Sequence, residues 1–342
     1  MEKKLRVGII GCGAIAKRIH MPCLAEIENC EVVAVCDHHI EKAQAFAEKY
    51  NIPRVYTLHH EFLAQEQGKV DAVFVLVKPD QTFKVVKETL EAGYHVMMEK
   101  PAGINDYQAN SMARISARTG KVAAVAMNRR HIPVVQEALK RIRAVTDIVQ
   151  VDGRFMKISD IATGWSYASA YNCDIIHALD CVRYLAGSEV VNAATVIGQY
   201  NSPVENAWNS VMLFENGVTG TLRSNYQASA RVHDFEIHGS RASAFIDVGF
   251  PGRDDATATI IYGDGASIYS AAAAGVNGTN IEVLSARALA GGDEYYQYYG
   301  YKQEDQDFVD SILEGRAPLC TIADAAKSME LAELLIRKRI NG

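Results

Sequence analysis

The sequence lacks the signatures of several specialised protein classes. Its seven cysteines are odd in number and form no Cys-x-x-Cys pair, so they predict neither a structural zinc site nor a secreted disulfide framework. No apolar run is long enough to cross a membrane, and the charged start MEKK leads into a strand-like segment rather than a signal peptide. With a net charge of −6, the chain also lacks the basic excess that suits nucleic acids and anionic membranes. We therefore expect a cytoplasmic, reduced protein without a metal ion and without a nucleic-acid or membrane partner.

The bulk composition is that of a globular protein. Hydrophobic residues make up 49% and charged residues 22% of the 342 residues, which is close to the average for soluble domains. A chain of this length is long enough for two domains, each with its own hydrophobic core.

The first third of the chain alternates short apolar runs with longer amphipathic patterns. The apolar runs are too uniformly hydrophobic to have an exposed face, which is typical of parallel strands covered by helices on both sides. This pattern predicts an α/β domain with a doubly wound parallel sheet over residues 1–125. The predicted strands are 5–10, 31–36, 70–77, 95–100 and 121–126, and the predicted helices are 39–50, 83–93 and 106–120.

The pattern changes in the remaining two thirds. Long runs of alternating polar and apolar residues predict a mainly antiparallel open sheet with one packed face. Asn216-Gly217 lies between two of these runs, which is a strong signal for a hairpin, and residues 267–280 are predicted to form a loop. Two helical segments close the chain, and Thr321 is predicted to cap the second. Residues 126–342 are therefore predicted to form a second α/β domain.

A glycine-rich turn follows the first predicted strand. Gly11 allows a tight turn, Gly13 lets the backbone approach a pyrophosphate, and the small Ala16 permits close packing of helix on strand. Asp37 ends the second strand, near the spacing at which an acid accepts hydrogen bonds from a ribose diol and repels a 2′-phosphate. The pattern predicts NAD, although a nearby Arg or Lys would allow NADP; the alternative is an ordinary turn and a solvated aspartate. The predicted cofactor-binding residues here are Gly11, Gly13, Ala14, Ile15, Ala16 and Asp37.

The triplet Glu99-Lys100-Pro101 stands where a predicted parallel strand ends. Ligands of doubly wound sheets bind outside the carboxyl ends of the strands. A lysine held there can donate to a substrate hydroxyl or accept from it, whereas the plain alternative is a solvent-facing lysine before a helix. Its place at the end of the strand favours the functional interpretation.

His177 is a second candidate, in the segment Cys173–Leu185. If this segment is a helix, then Asp174, His177 and Cys181 lie on one stripe at i, i+3 and i+7. A histidine there is either a proton carrier or an ordinary residue of a helix face, and Asp174 and Asp180 are alternative acidic partners.

Together and in this order, these motifs resemble the glucose–fructose oxidoreductase / inositol dehydrogenase / MocA (Gfo/Idh/MocA) family. The similarity includes the run Asn128-Arg129-Arg130 and the hairpin FENGVTGTL, and it extends over essentially the whole chain. It implies an N-terminal Rossmann domain and a C-terminal α/β domain whose large open sheet commonly packs against a second subunit, so we expect a homodimer or homotetramer. It also implies NAD(P)-dependent oxidation or reduction at a carbon of a sugar, cyclitol or sugar derivative.

The resemblance assigns roles to individual residues. It implies that Lys100 is the active-site lysine and His177 the active-site histidine. Asp180 matches an acid one helical turn after the histidine, while Asn128 and Arg129 match the segment that lines the cleft behind the nicotinamide. The implied cofactor contacts beyond the glycine turn are Pro79, Glu99 and Lys100, and the implied substrate-binding residues are Asp180, Asn128 and Arg129. Asp174 is a further predicted substrate-binding residue because it shares the helix stripe of His177.

The chain departs from the family pattern at three places. Phe83 stands near a position that usually holds histidine, and SYASAYN replaces a glycine-rich run before the histidine helix. Cys173 stands where an aspartate usually precedes the histidine by four residues, with Asp174 one step late. These changes concern the substrate more than the type of reaction.

Aromatic residues and further histidines complete the candidates. Trp165 and Tyr167 precede the histidine helix and are predicted to bind substrate, because aromatic faces suit the apolar side of a sugar ring. The tyrosine-rich segment 295–301 is predicted to be a packed loop or a subunit contact. The remaining candidates are interpreted as surface or helix-start residues; they are His20, His38, His39, His59 and His60.

The favoured function is that of an oxidoreductase acting on a sugar-like hydroxyl or keto carbon. His177 or Lys100 transfers the proton, and Lys100 stabilises developing alkoxide charge. One alternative is a glycosidase or epimerase that oxidises its substrate transiently and yields no net NADH. Another is a non-catalytic dinucleotide-binding protein, which would need neither Lys100 nor His177.

Overall fold

The computed structural model describes residues 4–159, 169–250, 252, 254–263 and 280–340. The chain divides into two compact units, which we treat separately. One unit contains residues 1–128 and 301–330, and the other contains residues 129–300 and 331–342. Trp165, Tyr167 and nearly all of the predicted loop 267–280 lie outside the described residues.

The first unit is built on a six-stranded parallel sheet. Its strands are β1 (Leu5–Ile10), β2 (Cys30–Cys36), β3 (Arg54–Tyr56), β4 (Ala72–Val75), β5 (His95–Met98) and β6 (Ala123–Val125). They pair in the order β3-β2-β1-β4-β5-β6, and every pair is parallel. The predicted doubly wound parallel sheet is confirmed. The order reverses between β1 and β4, which is the switch point where such sheets bind ligands.

The helices begin and end where the local sequence favours it. In chain order they are α1 (Met21–Glu26), α2 (Ile40–Tyr50), α3 (His59–Gln65), α4 (Pro79–Glu91), α5 (Asp106–Thr119), α6 (Pro133–Val145), α7 (Ile176–Ala186), α8 (Ala286–Ala290), α9 (Tyr295–Tyr298), α10 (Tyr301–Glu314) and α11 (Ile322–Arg337). Gly93, just beyond α4, has the predicted left-handed backbone with φ of 89°. Thr321 caps α11 as predicted, because its Oγ1 accepts from the backbone N–H of Asp324 at 3.1 Å. Within the described part of the chain, no helix has both the length and the apolar character that a membrane span requires.

The core of the first unit takes residues from both ends of the chain. Val7, Ile9 and Phe74 in the parallel sheet are fully buried together with Phe308 of α10. The rings of Phe74 and Phe308 pack edge-on with their centroids 5.4 Å apart. The C-terminal segment is therefore part of this core.

The second unit is built on an eight-stranded sheet. Its strands are β7 (Ile148–Ile158), β8 (Val190–Gly198), β9 (Ala207–Phe214), β10 (Thr219–Asn225), β11 (Gln227–Gly239), β12 (Ala242–Asp247), β13 (Thr257–Tyr262) and β14 (Asn280–Ser285). They pair in the order β14-β13-β12-β11-β7-β10-β9-β8. Only β10 and β7 run parallel among these described strands, so the predicted, mainly antiparallel sheet is confirmed. The Asn216-Gly217 hairpin joins β9 to β10 as predicted, with Gly217 at a φ of 84°.

Helix α7 covers one face of this sheet. A Cβ added to Gly153 on β7 would lie 2.7 Å from Cγ2 of Val182, so the glycine permits the close approach of helix to strand. Phe155 and Phe235 are buried on the same face. The opposite face is open and exposes apolar side chains; they include Val196, Val211, Leu213, Phe245, Ile281 and Val283.

Candidate active site

The glycine turn has the backbone shape that the sequence predicts. Gly11 has a φ of 103°, and a Cβ there would lie 2.5 Å from the carbonyl oxygen of Leu76, so this position requires glycine. A Cβ on Gly13 would meet nothing within 4 Å, which leaves open space over the turn. Ala16 is fully buried and begins a π-helical turn (Ala16–His20) that continues into α1. Open space above a helix N-terminus fits a pyrophosphate.

Asp37 lies beside this turn, at the carboxyl end of β2. Its Oδ2 accepts from the backbone N–H of Cys12 at 2.8 Å, and its Oδ1 accepts from that of His39 at 2.9 Å. Each carboxylate oxygen can accept a further hydrogen bond. The two residues that follow are His38 and His39 rather than Arg or Lys. This arrangement suits the ribose diol of NAD better than a 2′-phosphate.

Lys100 is half-buried and lies just after β5. It follows Glu99, whose carboxylate is held by two hydrogen bonds. Oε2 of Glu99 accepts from the backbone N–H of Lys100 at 3.1 Å, and Oε1 of Glu99 lies 3.2 Å from Nε2 of His20. The peptide bond between Lys100 and Pro101 is cis. Pro79, another predicted cofactor contact, occupies the first position of α4.

His20 is a helix-start residue, as predicted, at the N-cap of α1, but the prediction of a surface position is wrong because the residue is fully buried. Its side chain has no exposed surface, and Nδ1 lies 2.9 and 3.0 Å from the two carboxylate oxygens of Asp305. Burial lowers the pKa of His20, but Asp305 and Glu99 outweigh it and raise that pKa well above its ordinary value. His20 is thus an imidazolium between two carboxylates. The sequence pattern did not reveal the buried position of His20, because its partner Asp305 is 285 residues away along the chain.

In the second unit, Asp180 is held by an arginine. Nε and Nη2 of Arg130 each donate to one oxygen of Asp180 at 2.6 Å. Both side chains are almost fully buried. The guanidinium of Arg130 also lies 5.1 Å above the ring of Tyr184. Asp180 as a substrate-binding residue stays a prediction, since its two oxygens already accept from Arg130.

Asp174 is held by a different cation. Its Oδ2 accepts from Nζ of Lys157 at 2.6 Å and from the hydroxyl of Tyr226 at 2.7 Å. Burial, with the charge of Asp174 added, raises the pKa of Tyr226 well above its ordinary value, so this hydroxyl stays protonated. The two acids that flank His177 in sequence are therefore engaged by Lys157 and Arg130.

The other predicted residues are largely enclosed. His177 is 6% exposed, Arg129 is 5% exposed and Asn128 is fully buried. The guanidinium of Arg129 lies 4.9 Å above the ring of Tyr299. Cys181 is fully buried, and burial raises the pKa of its thiol, so its side chain belongs to the packed side of α7.

The tyrosine-rich segment 295–301 is mainly packed. Tyr298 and Tyr299 are buried, and the rings of Tyr295 and Tyr299 lie 4.9 Å apart. Arg287 covers the ring of Tyr298 at 4.8 Å. These contacts agree with the prediction that the segment is packed, but the prediction of a loop is wrong, because Tyr295–Tyr298 form α9 and Tyr301 begins α10.

One group of side chains in the described residues has the spacing of metal ligands. It consists of Asp152, Glu236 and His238, on the open face of the second sheet. Asp152 already accepts from the hydroxyl of Thr221, and Nδ1 of His238 lies 3.0 Å from Oγ of Ser243. Hydrogen bonds within the sheet account for this group, and we assign it no ion.

Two family models match the chain. The model described as the oxidoreductase family with an NAD-binding Rossmann fold matches residues 5–127, and the GFO/IDH/MocA C-terminal domain matches residues 147–245. The chain belongs to the Gfo/Idh/MocA family. The predicted resemblance is thereby confirmed, and so is NAD as the cofactor, which the glycine turn and Asp37 fit.

Relatives of this Gfo/Idh/MocA protein are named dehydrogenases and oxidoreductases. It is 30% identical to D-glucoside 3-dehydrogenase of Escherichia coli over 199 residues, 55% of this chain and 56% of that protein. It is 26% identical to Oxidoreductase P35 of Formosa agariphila over 262 residues, 71% of this chain and 79% of that protein. A solved complex of levoglucosan dehydrogenase with NADH and levoglucosan superposes with a TM-score of 0.83 at 18% identity, covering 98% of this chain and 97% of that one. The protein is therefore an NAD-binding oxidoreductase.

Sequence patterns missed several polar residues of the second unit. Lys157 lies on β7 and Tyr226 is the single residue between β10 and β11; the alternation of these strands predicts a buried face but not the partners on it. Register brings them together, because β7 pairs with β10 and β11. The unusual presence of a lysine on the packed face of a strand is the signal that could have found Lys157.

Proposed function

We propose that the protein is an NAD-dependent dehydrogenase that acts on a hydroxyl or keto carbon of a sugar, cyclitol or sugar derivative. Residues 1–125 serve cofactor binding, and residues 126–342 serve substrate binding and self-association. Support for a sugar-like substrate comes from the name of the Escherichia coli relative, a D-glucoside 3-dehydrogenase. The seven buried free cysteines support a reduced compartment.

The observation that carries this proposal is the position of Lys100. It lies two residues after the end of β5, and the glycine turn and Asp37 follow β1 and β2. Because these strands are parallel, their carboxyl ends lie at one edge of the sheet, where doubly wound folds bind their ligands. A lysine at that edge is within the region of the cofactor that the glycine turn and Asp37 define.

Lys100 and His177 are the proposed catalytic residues. Bound NAD supplies the hydride acceptor or donor. The Lys100 ammonium orients the substrate oxygen and stabilises negative charge on it, while the His177 imidazole accepts or returns the hydroxyl proton. Burial of His177 limits competing proton exchange with water.

The test measures NADH absorbance with a panel of aldoses, inositols, polyols and sugar nucleotides, each with NAD and with NADP. Lys100→Ala and His177→Ala should each lower kcat by about 10²- to 10⁴-fold, the usual contribution of a proton-transfer group. Both variants should still bind NAD, as measured by calorimetry. Lys84→Ala and His60→Ala, at exposed positions, are the matched controls. Near-normal turnover by Lys100→Ala and His177→Ala would contradict the assignment, and sugar conversion without NADH would favour an enzyme with no net redox.

We also propose that the open face of the second sheet packs against a second copy of the chain. Val211, Phe245 and Val283 are 59%, 40% and 68% exposed on this face. Several exposed apolar side chains on one face of a sheet favour an interface at that face. Light scattering of the native protein should give the mass of a dimer or tetramer, and Val211→Lys with Phe245→Lys should give monomers. A monomeric native protein would contradict this assignment.

A further inference from the structure

His233 is a buried histidine whose ring makes no hydrogen bond within the described residues. It lies on the packed face of β11 and is 2% exposed. Neither Nδ1 nor Nε2 has a hydrogen-bond partner. Its ring packs against Phe155, with the centroids 4.6 Å apart. Buried polar groups are nearly always paired, so an unpaired imidazole in a native core needs a reason.

Three cations lie near enough to His233 for their charges to act on its imidazole. Lys157 lies 5.1 Å above the ring of Phe155, the same ring that packs against His233. Arg231 precedes His233 by two residues on the same strand, and Arg129 belongs to the turn Asn128–His131. Burial lowers the pKa of His233, and the charges of Arg129, Arg231 and Lys157 lower it further. His233 is therefore a neutral imidazole in a positive field.

The polar groups near His233 differ in whether they have a hydrogen-bond partner in the described residues. Asp174 accepts from Lys157. The guanidinium of Arg231 lies 5.6 Å above the ring of Phe250, and its buried Nε has no hydrogen-bond partner in the described chain. A buried, positively charged environment in which an N–H of Arg231 and an N–H of His233 have no partner is suited to an anion.

We propose that Lys157, Arg231 and His233 bind an acidic group on the substrate, so that the enzyme acts on an anionic sugar rather than a neutral one. This inference rests on the proposed function. The acidic group is a carboxylate or a phosphate, which accept the same N–H donors. A neutral His233 donates one hydrogen bond to the anion and keeps its second nitrogen as an acceptor for a neighbouring hydroxyl of the sugar.

The test compares binding of D-glucose, D-glucuronate, D-gluconate and D-glucose 6-phosphate to the NAD-saturated protein by calorimetry. At least one acidic sugar should bind about ten-fold or more tightly than D-glucose, the factor expected from one charge-assisted hydrogen bond. The acid that binds best identifies a carboxylate or a phosphate. Equal or tighter binding of D-glucose would overturn the proposal.

Substitutions of single residues test which side chains cause the preference for an acidic sugar. Arg231→Gln should remove most of the preference for the acidic sugar, and Arg231→Lys, which keeps the charge, should retain most of it. Arg223→Gln removes the same charge from an exposed position on β10 and should leave the preference unchanged. If Arg231→Gln does not fold, as judged by thermal unfolding, Lys157→Gln replaces it with the same expectation. Equal effects of the Arg231 or Lys157 variant and of Arg223→Gln would overturn the proposal.

The outcomes separate this inference from the proposed function. Oxidation of neutral sugars alone would leave the dehydrogenase assignment intact and overturn the anion site. Tight binding of an acidic sugar that yields no NADH, lost in Arg231→Gln, would support the anion site and contradict the dehydrogenase assignment.

Discussion

Oε1 of Glu99 lies 3.2 Å from Nε2 of His20, so the carboxylate that precedes Lys100 is fixed by a buried imidazolium. The other oxygen of Glu99 accepts from the backbone N–H of Lys100. The triplet Glu99-Lys100-Pro101 is thus held in place by a network of charged side chains in the core of the first unit.

The charge of His20 makes stability depend on pH. Because its pKa is raised in the folded state, its contribution is complete below the unfolded value of about 6.5 and is lost as pH rises through the higher folded value. His20→Gln should therefore lower the free energy of unfolding by about 3 kcal/mol or more at pH 6, and by less at pH 9. Urea unfolding of both proteins at the two pH values measures this. A loss that does not vary with pH would show that the imidazolium is not the cause.

Gly11 and Gly13 should respond differently to the same substitution. Gly11→Ala adds a Cβ that clashes with the carbonyl of Leu76 at a positive φ, so stability should fall by more than about 1 kcal/mol. Gly13→Ala meets open space, so stability should change by less than about 0.5 kcal/mol. The added methyl of Gly13→Ala should nevertheless weaken NAD binding, because the pyrophosphate approaches this backbone. Thermal unfolding and NAD titration separate the two effects, and unimpaired NAD binding by Gly13→Ala would contradict the pyrophosphate assignment.

Asp37 should set the preference for NAD over NADP. Asp37→Asn keeps an acceptor but removes the charge that repels a 2′-phosphate, so the Kd for NADP should fall while that for NAD rises by about ten-fold. Glu41→Gln, an exposed acid at the start of α2, is the matched control. Titration of both variants with both cofactors measures the ratio, and an unchanged ratio in Asp37→Asn would count against the ribose contact.

The buried Arg130–Asp180 pair should be important for stability. Asp180→Ala leaves the guanidinium of Arg130 buried without its acid, which should lower the free energy of unfolding by about 3–5 kcal/mol. Replacing both residues, as Arg130→Met with Asp180→Leu, should recover most of this loss. Glu91→Ala, which breaks an exposed pair with Arg118, should cost about 1 kcal/mol or less. Equal losses in Asp180→Ala and Glu91→Ala in urea unfolding would contradict the role of burial.

Local patterns were sufficient to predict most of the architecture. Asn216-Gly217 predicts a hairpin because its turn requires positive φ, and Gly93 predicts a helix end for the same reason. Uniformly apolar runs predict parallel strands because both faces of such a sheet are covered. These features depend on a few adjacent residues.

The sequence pattern could not predict contacts between residues that are far apart along the chain. His20 follows two basic residues, Lys17 and Arg18, and looks like part of a polar surface, yet its partners Glu99 and Asp305 enclose it. The two acids beside His177 were equivalent candidates in sequence. Only tertiary packing pairs Asp174 with Lys157 of β7, and Asp180 with Arg130 of the turn Asn128–His131.

Because Phe308 lies in the core of the first unit, this unit cannot complete its core until late in the synthesis of the chain. The parallel sheet, with Phe74 at its centre, leaves the ribosome before any residue of the second sheet. The core of the first unit nevertheless includes Phe308 and Val309. The partner of its buried His20 is Asp305. These residues belong to a segment that is made after the second sheet. The core of the first unit is therefore complete only once residues 301–330 have been made, so a polypeptide that stops before residue 301 exposes the apolar surface around Phe74 to chaperones and proteases.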